Sequence, residues 1–437
     1  MTLIDLTPRV VQTPVLSTLP VVIIGAGPIG LSAAAHLLER NIEFVVFEAG
    51  PDAAASVSAW GHTRLFSPWK HLVDPASRRL LETVGWSLSE PERAPTGAEL
   101  VADYLAPLAG CEGIASRIRA GVEVLAVSRD GMDRTRTKSR ATTPFAVRIR
   151  AADGRIEDVL ARAVIDASGT YRSPNPLSSS GLELIGATEI ADLVSPALPD
   201  VLGRDRARFA GRRVTVVGAG HSAANTLLAL VTLAREEAGT TVTWLIRASH
   251  AVRVSSSSDD ELIGRAHLGD RVDRAVGRGD IVVVDGFEII RAHRRARAAE
   301  LVGHRRGELV THATDVVVNA TGFRPNLEML REVRLDLDDI VEAPKRLAPL
   351  IDPNVHSCGT VEPHGFRELS HPEPGFFIVG MKSYGRAPTF LLATGYEQVR
   401  SVTAWLAGDM GSASAVELVL PATGVCSTDG AGDGCCA

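Results

Sequence analysis

Val21-Val22-Ile23-Ile24-Gly25-Ala26-Gly27-Pro28-Ile29-Gly30 is the stretch whose reading decides the fold. Four branched apolar residues predict a strand buried on both faces. The glycines that follow suit a tight turn and let the backbone approach a pyrophosphate, with Pro28 and Ile29 opening the next element. Leu31 to Arg40 reads as a helix whose N-terminus faces that anion. A second strand, Phe44-Val45-Val46-Phe47, ends in Glu48, 23 residues beyond Gly25. An acid at that point can accept hydrogen bonds from a pair of ribose hydroxyls.

The pattern occurs twice. Val214-Thr215-Val216-Val217 runs into Gly218-Ala219-Gly220-His221-Ser222-Ala223, with Ala223 in the place of the third glycine. A helical run from Asn225 and a strand, Val242-Thr243-Trp244-Leu245-Ile246, follow. This strand leads to Arg247 rather than to an acid, and the guanidinium fork suits a 2′-phosphate. The first loop therefore reads as a site for FAD and the second as a site for NADPH. The implied fold class is α/β, with two Rossmann-like dinucleotide-binding domains and the NADPH domain inserted in the FAD domain.

The rest of the chain fits that plan. The 437 residues suffice for two or three domains, and a net charge of −6 argues against a nucleic-acid partner. The two uncharged runs, Val21 to Leu38 and Val214 to Ala234, each switch from strand to helix at the glycine turn. Neither reads as a membrane span. No export signal is visible in Met1 to Pro20, so the cytoplasm is the expected compartment. The five cysteines (Cys111, Cys358, Cys426, Cys435, Cys436) make no disulfide framework.

In order along the chain, 18–180 is the expected first part of the FAD domain and 185–322 the NADPH domain. Residues 323–408 return to the FAD domain, and 409–437 form a flexible cysteine-containing tail. Ser56 to Trp86 reads as a long loop with one short helix, in which Trp60, Phe66 and Trp69 cover either the core or a flavin and its substrate pocket. Thr96 and Glu99 form a capping box. Segments at 122–127, 145–149 and 156–160 predict a small antiparallel sheet, with a mobile, solvated loop at 129–143. Asp166 and Thr321-Gly322 close two similar strand-and-turn segments, and Gly380 follows the last buried strand, so all four join the cofactor-binding candidates.

The two glycine motifs, together with Ala320-Thr321-Gly322-Phe323, resemble the two-dinucleotide-binding flavoproteins, in particular the flavin-containing monooxygenases and their bacterial relatives. The resemblance covers about residues 18 to 407. It implies that NADPH reduces bound FAD, that O2 then forms a flavin hydroperoxide, and that a small soft nucleophile, carbonyl or metalloid is oxygenated. A homodimer is compatible with it. The family's fingerprint between the two glycine motifs is not recognisable in this chain. The disulfide reductases share the architecture, but no Cys-x-x-Cys or Cys-x4-Cys occurs here. Gly434-Cys435-Cys436-Ala437 resembles the vicinal pair of mercuric reductases, and the resemblance extends to proteins of bacterial arsenic resistance. An NADPH-dependent metal(loid) reductase and a redox-sensing flavoprotein without turnover are the alternative readings.

Hydride transfer needs little acid–base machinery, because the cofactors carry the chemistry. The candidate catalytic residues are Trp69, Lys70, Cys358, His364 and Tyr384, with Lys382 and Arg386 in the loop after the last strand. His356, Cys358, His364 and His371 are irregularly spaced for a metal, and no metal is expected there. Cys426, Cys435 and Cys436 are the candidate soft-metal ligands.

Overall fold

The computed structural model describes residues 13–248, 263–352, 363–388 and 390–417. The chain divides into two compact units. One runs through Arg172 and resumes at Arg324; the other is Ser173–Phe323.

In the first unit, β1 (Val21–Ile24) pairs in parallel with β2 (Phe44–Glu48) on one side and with β7 (Ala163–Asp166) on the other. β3 (Ile118–Ala120) extends the sheet beyond β2, and β16 (Phe376–Ile378) extends it beyond β7. The order is thus β16-β7-β1-β2-β3. The side chains of β1 explain its unbroken apolar run. Val21 and Ile23 enter the core shared with helices Pro28–Glu39 and Leu392–Leu406. Val22 and Ile24 enter a second core, shared with Val127, Phe145, Val147 and Ile149. Those residues belong to the antiparallel sheet β4 (Glu123–Arg129), β5 (Phe145–Arg150) and β6 (Ile156–Ala161). Successive strand residues point to opposite faces, so a strand between two covering layers must be apolar at every position.

The second unit repeats this plan. Its parallel sheet has the order β11-β10-β9-β15-β8, made of β8 (Val194–Ser195), β9 (Arg213–Val217), β10 (Thr241–Leu245), β11 (Val282–Val284) and β15 (Val316–Asn319). Val214, Val216 and Val318 pack with helix His221–Glu236, while Val217 and Val317 pack with Phe287, Ile289 and Leu301. The latter three lie on a second antiparallel trio, β12 (Phe287–Arg295), β13 (Ala298–Arg305) and β14 (Glu308–Thr314). The repeat visible in the glycine motifs thus extends through three layers of each unit.

Three expectations change. Residues 173–184 belong to the second unit, because Leu177 and Leu184 are buried with β12 and β13. The loop at 129–143 is anchored: Arg129 and Arg140 both bind the buried carboxylate of Glu373, at 2.7 Å each, and Arg134 N–H donates to Glu332 at 2.7 Å. Glu373 lies more than 230 positions away in sequence from either arginine, which is why the loop reads as solvated when taken alone. The tail does not begin at 409 either. Asp409 caps helix Met410–Ser414, Ala413 is buried, and Arg400 bonds the carbonyl oxygens of Ser412 and Ala415.

Among the described residues, no helix is long and apolar enough to cross a membrane. Cys358, Cys426, Cys435 and Cys436 lie outside the described residues, as does His356.

Candidate dinucleotide-binding sites

β1 feeds β2 on one side of the first sheet, while β7 and β16 lie on the other, so the strand order reverses beside β1. Ligands of open α/β sheets bind outside the carboxyl ends of the strands at such a point. Gly25, Ala167 and Val379 follow the three neighbouring strand ends there, and Val379 N–H donates to the Asp166 carbonyl at 2.9 Å.

The glycines have separate duties. Gly25 has φ +97°, and a Cβ on it would stand 2.9 Å from the Ala167 carbonyl oxygen. A Cβ on Gly30 would collide with the carbonyl oxygen of Gly25. These two are needed by the protein's own packing. Gly27 differs: a Cβ there meets no atom within 4 Å. The open space lies at the N-cap of helix Pro28–Glu39, whose first N–H groups have no helical partner. Pro28 has no N–H, so the donors are Ile29 and Gly30. The space, the donors and the helix dipole fit a pyrophosphate.

Glu48 has a structural task beside the expected one. Its Oε2 accepts the Ala26 N–H and its Oε1 accepts the Gly50 N–H, both at 2.7 Å. The carboxylate therefore holds the loop in shape, and each of its oxygens retains a further lone pair.

The turn after β7 contains a buried ion pair. Lys382 Nζ lies 2.7 Å from Asp166 Oδ2 and donates to Ser168 Oγ at 3.1 Å, and both charged side chains are almost fully enclosed. Asp166 Oδ1 accepts the N–H and the Oγ–H of Ser168, two residues on. Behind Gly380 lies a second buried network. Gln398 Oε1 accepts the Gly380 N–H at 2.7 Å, so the amide NH2 of Gln398 faces Ser383 Oγ (2.9 Å) and His364 Nε2 (2.8 Å). His364 must then accept at Nε2 and carry its proton on Nδ1. Gly380 also lies against Ile29, as does Gly395 of helix Leu392–Leu406. The cradle, the last strand and the last helix thus meet around one isoleucine. Burial raises the pKa of Tyr384, whose ring stands edge-on to Phe390 at 5.1 Å. It is a neutral, packed phenol beside His364, 5.8 Å between ring centres.

The second site repeats the first. Gly218 has φ +124°, and its Cβ would collide with the Ala320 carbonyl, whereas Gly220 has open space. Gly27 and Gly220, the two N-caps, have nearly the same backbone, with φ −77° and −91° and ψ −174° and −176°. His221 and Ser222 open the following helix, and Ala223 is buried in its core. Asn319 Oδ1 accepts the Thr321 N–H and Oγ–H, repeating the Asp166–Ser168 turn, and Gly322 has φ +93°. Here the companion group is Asn175, whose Nδ2 donates to Thr321 O at 3.1 Å. Arg247 is exposed and borders a cavity of about 450 Å³ with Ser178, Ser179, Ser180 and Glu288. Its Nη1 makes one long bond, to Ser179 O at 3.3 Å.

Other candidates have packing or pairing partners of their own. Trp69 is buried in the first unit's helical core, and Trp60 packs on Gly97 inside the capping-box segment. Lys70 pairs with Glu92 and borders a cavity with His36 and Arg40, at the end of helix Pro28–Glu39 opposite the cradle. Lys70 therefore does not join the glycine loop, whereas Trp69 shares its core with Ala26 and Ile29 of that loop. Aromatic and basic composition cannot say which end of a helix a following loop packs against. The 56–86 stretch also carries two α-helices rather than one, Ala55–Ala59 and Pro75–Glu82. Arg386 pairs with Glu342 near the surface. Gln398 and Asn175 escape a reading of the sequence because their partners are distant, and Asn319, which bonds Thr321 two residues on, escapes it because no motif marks it.

Residues 22–357 match the pyridine nucleotide-disulphide oxidoreductase family. Among solved structures, the chain is similar to the bacillithiol disulfide reductase Bdr of Bacillus cereus, at 20% identity and a TM-score of 0.65, over 89% of this chain and 98% of that one. It is also similar to a doubly substituted flavin monooxygenase from Stenotrophomonas maltophilia, at 25% identity and a TM-score of 0.56, over 89% and 98%. A curated relative, indole-3-pyruvate monooxygenase YUCCA1 of Oryza sativa subsp. japonica, is 28% identical over 203 residues, which span 46% of this chain and 42% of that protein. With the doubled glycine cradle, the three-layer repeat and a match over most of its length, the chain belongs to the pyridine nucleotide-disulphide oxidoreductase family.

Proposed function

We propose that the chain is an NADPH-dependent FAD monooxygenase that oxygenates a small soft nucleophile, with trivalent metalloids among the candidates. FAD is held at the Gly25–Gly30 loop and Glu48, and NADPH at the Gly218–Ala223 loop and Arg247. Reduced FAD supplies the means to activate dioxygen: NADPH gives two electrons, one oxygen atom enters the substrate and the other leaves as water. The chain's residues bind and orient. The N–H groups of Ile29 and Gly30 receive the pyrophosphate. Glu48 receives ribose hydroxyls, and Gln398 with His364 fixes the Gly380 turn against Ile29.

The observation that supports oxygenation over disulfide reduction is the placement of sulfur. Among the described residues the free cysteine is Cys111, buried, with its thiol toward the Pro107 carbonyl at 3.5 Å. Burial raises its pKa, which keeps it protonated and a poor nucleophile. No Cys-x-x-Cys or Cys-x4-Cys stands in the sequence to pass electrons from the flavin to a disulfide, and the adjacent pair Cys435-Cys436 lies outside the described residues.

The test is oxygen uptake by the purified, FAD-loaded protein with NADPH and a panel of thioethers, amines and trivalent arsenicals. Substrate-dependent uptake with isotopic oxygen in the product supports the reading. Anaerobic NADPH oxidation coupled to a disulfide overturns it in favour of a reductase. Tight flavin binding without NADPH oxidation by any acceptor overturns it in favour of a sensor. Truncation after Gly424 asks whether the tail cysteines take part, since unchanged metalloid-dependent turnover excludes them.

A further inference from the structure

Helix Pro28–Glu39 has a second end. Its 12 residues carry the chain about 18 Å from the cradle, to a separate cavity of about 290 Å³. That volume is close to the lower bound for small-ligand pockets. The walls come from the end of this helix, the start of helix Pro75–Glu82 and the middle of helix Leu392–Leu406.

Most charges there are matched. Arg79 holds Glu39 through two bonds of 2.8 and 2.9 Å. Arg400 holds Glu397 through two more, at 2.6 and 3.0 Å, and approaches Glu417 at 3.4 Å. His36 Nε2 lies 3.0 Å from the buried carboxylate of Asp74, which also accepts the N–H and Oγ–H of Ser77. That bond puts a proton on Nε2, and Nδ1 of His36 faces Arg40 Nη1, 3.5 Å away. Arg40 is the exception to the matching. Among the described residues no carboxylate lies within ion-pair distance of it, and Nη1 makes only long contacts to His36, the shorter at 3.3 Å to its carbonyl oxygen. Its Nε and second Nη have no hydrogen-bond partner among the described residues, although a guanidinium carries five N–H donors. Burial is the main influence on its pKa and lowers it. The acids in its field, Glu39, Glu417 and Asp409, are engaged by Arg79, by Arg400 and by the cap of Ser412 respectively. Among the described residues, Lys70, on the same cavity, pairs only with the exposed Glu92, a pairing of little strength.

We propose that this cavity is a binding site for a small oxyanion of the phosphate or carboxylate class, with Arg40 as its main ligand and Lys70 as a second cation. A partly desolvated guanidinium with open donors is the group that recognises such anions through paired hydrogen bonds. The site is separate from the dinucleotide cradle and lies at the far end of the same helix.

The test is calorimetric titration of the FAD-loaded protein with inorganic phosphate and, separately, with citrate, at ionic strength matched with chloride. Saturable one-to-one binding is expected for at least one anion, and the stronger binder tells which of the two sources fits. Arg40→Gln should weaken it by about 10- to 100-fold, the loss that follows from deleting charge-assisted hydrogen bonds. Arg40→Lys should lose less. Flavin content, read by absorbance, reports whether each variant is folded. If Arg40→Gln does not fold, Arg40→Lys decides, and unchanged affinity in it overturns the proposal. The proposal also fails if neither anion binds saturably, or if Arg40→Gln binds as the wild type does, which would place the phosphate at the glycine loops. None of these outcomes depends on oxygenation.

Discussion

Replacing Gly27 with valine separates cofactor binding from folding. The backbone there is extended, at φ −77° and ψ −174°, a conformation open to any residue. No protein atom lies within 4 Å of the new Cβ. Two small effects on the fold oppose one another. Losing glycine's freedom in the unfolded chain stabilises by about 0.4–1 kcal/mol, and placing valine rather than glycine at an N-cap costs a similar amount. The apoprotein should therefore unfold within about 1 kcal/mol of the wild type. Binding should not survive so well. The isopropyl group stands where the pyrophosphate must approach the Ile29 and Gly30 N–H groups. Two bonds to a charged group are worth roughly 3–6 kcal/mol, so FAD affinity should fall about a hundred- to ten-thousand-fold. The assay is flavin absorbance per protein after desalting, beside thermal unfolding of both apoproteins. Gly30→Ala is the contrasting control. Its methyl group collides with the Gly25 carbonyl, so it should lower stability by about 1–3 kcal/mol or more even without flavin. Gly27→Val protein with wild-type flavin content would refute the reasoning.

Arg247→Ala should weaken NADPH about 10- to 100-fold and leave NADH nearly unchanged; equal losses in flavin-reduction kinetics would make the residue structural. Lys382→Met leaves the enclosed Asp166 carboxylate without its cation and should cost about 3–5 kcal/mol in denaturant unfolding. Adding Asp166→Asn should recover most of that loss, and no recovery would mean that the pair does not account for it. The imidazole of His371 is kept neutral by burial, which lowers its pKa from 6.5 to about 4 despite the nearby Asp336. Its folded pKa lies below the unfolded value, so this contribution to stability is complete above pH 6.5 and is lost as pH falls toward 4. The loss amounts to about 3 kcal/mol. His371→Asn, which can still accept the Asp336 N–H, should flatten that part of the stability–pH curve.

What the sequence discloses is what neighbouring residues decide. Val21 to Gly30 can be read because strand, turn and helix are contiguous and each demands a residue type. The Thr96–Glu99 capping box is equally local, and the structure contains both of its bonds. The interactions that complete the site and the fold around it are not local. Lys382 and Asp166 are 216 positions apart, and Arg129 and Glu373 are 244 apart. Nothing in either neighbourhood marks the partner. Trp69 shows a further limit, since an aromatic residue in a loop signals burial without saying in which layer. Gly27 and Gly30 look alike in the sequence, and only the surrounding atoms show that one leaves room for a ligand while the other relieves the backbone.

The seam of the second unit has a bearing on how one domain tolerates another within it. Pro174 and Phe323 form an antiparallel bridge, and the Asn175 N–H donates to the Gly322 carbonyl at 2.9 Å. The segment between these ends is roughly 150 residues long. As a flexible loop, it would burden the surrounding domain with a closure entropy of order 4 kcal/mol. Once its own ends are zipped together, the host chain meets only a short hairpin. The inserted unit can then fold, or lengthen in its own outer loops, with almost no entropic consequence for the sheet into which it is spliced.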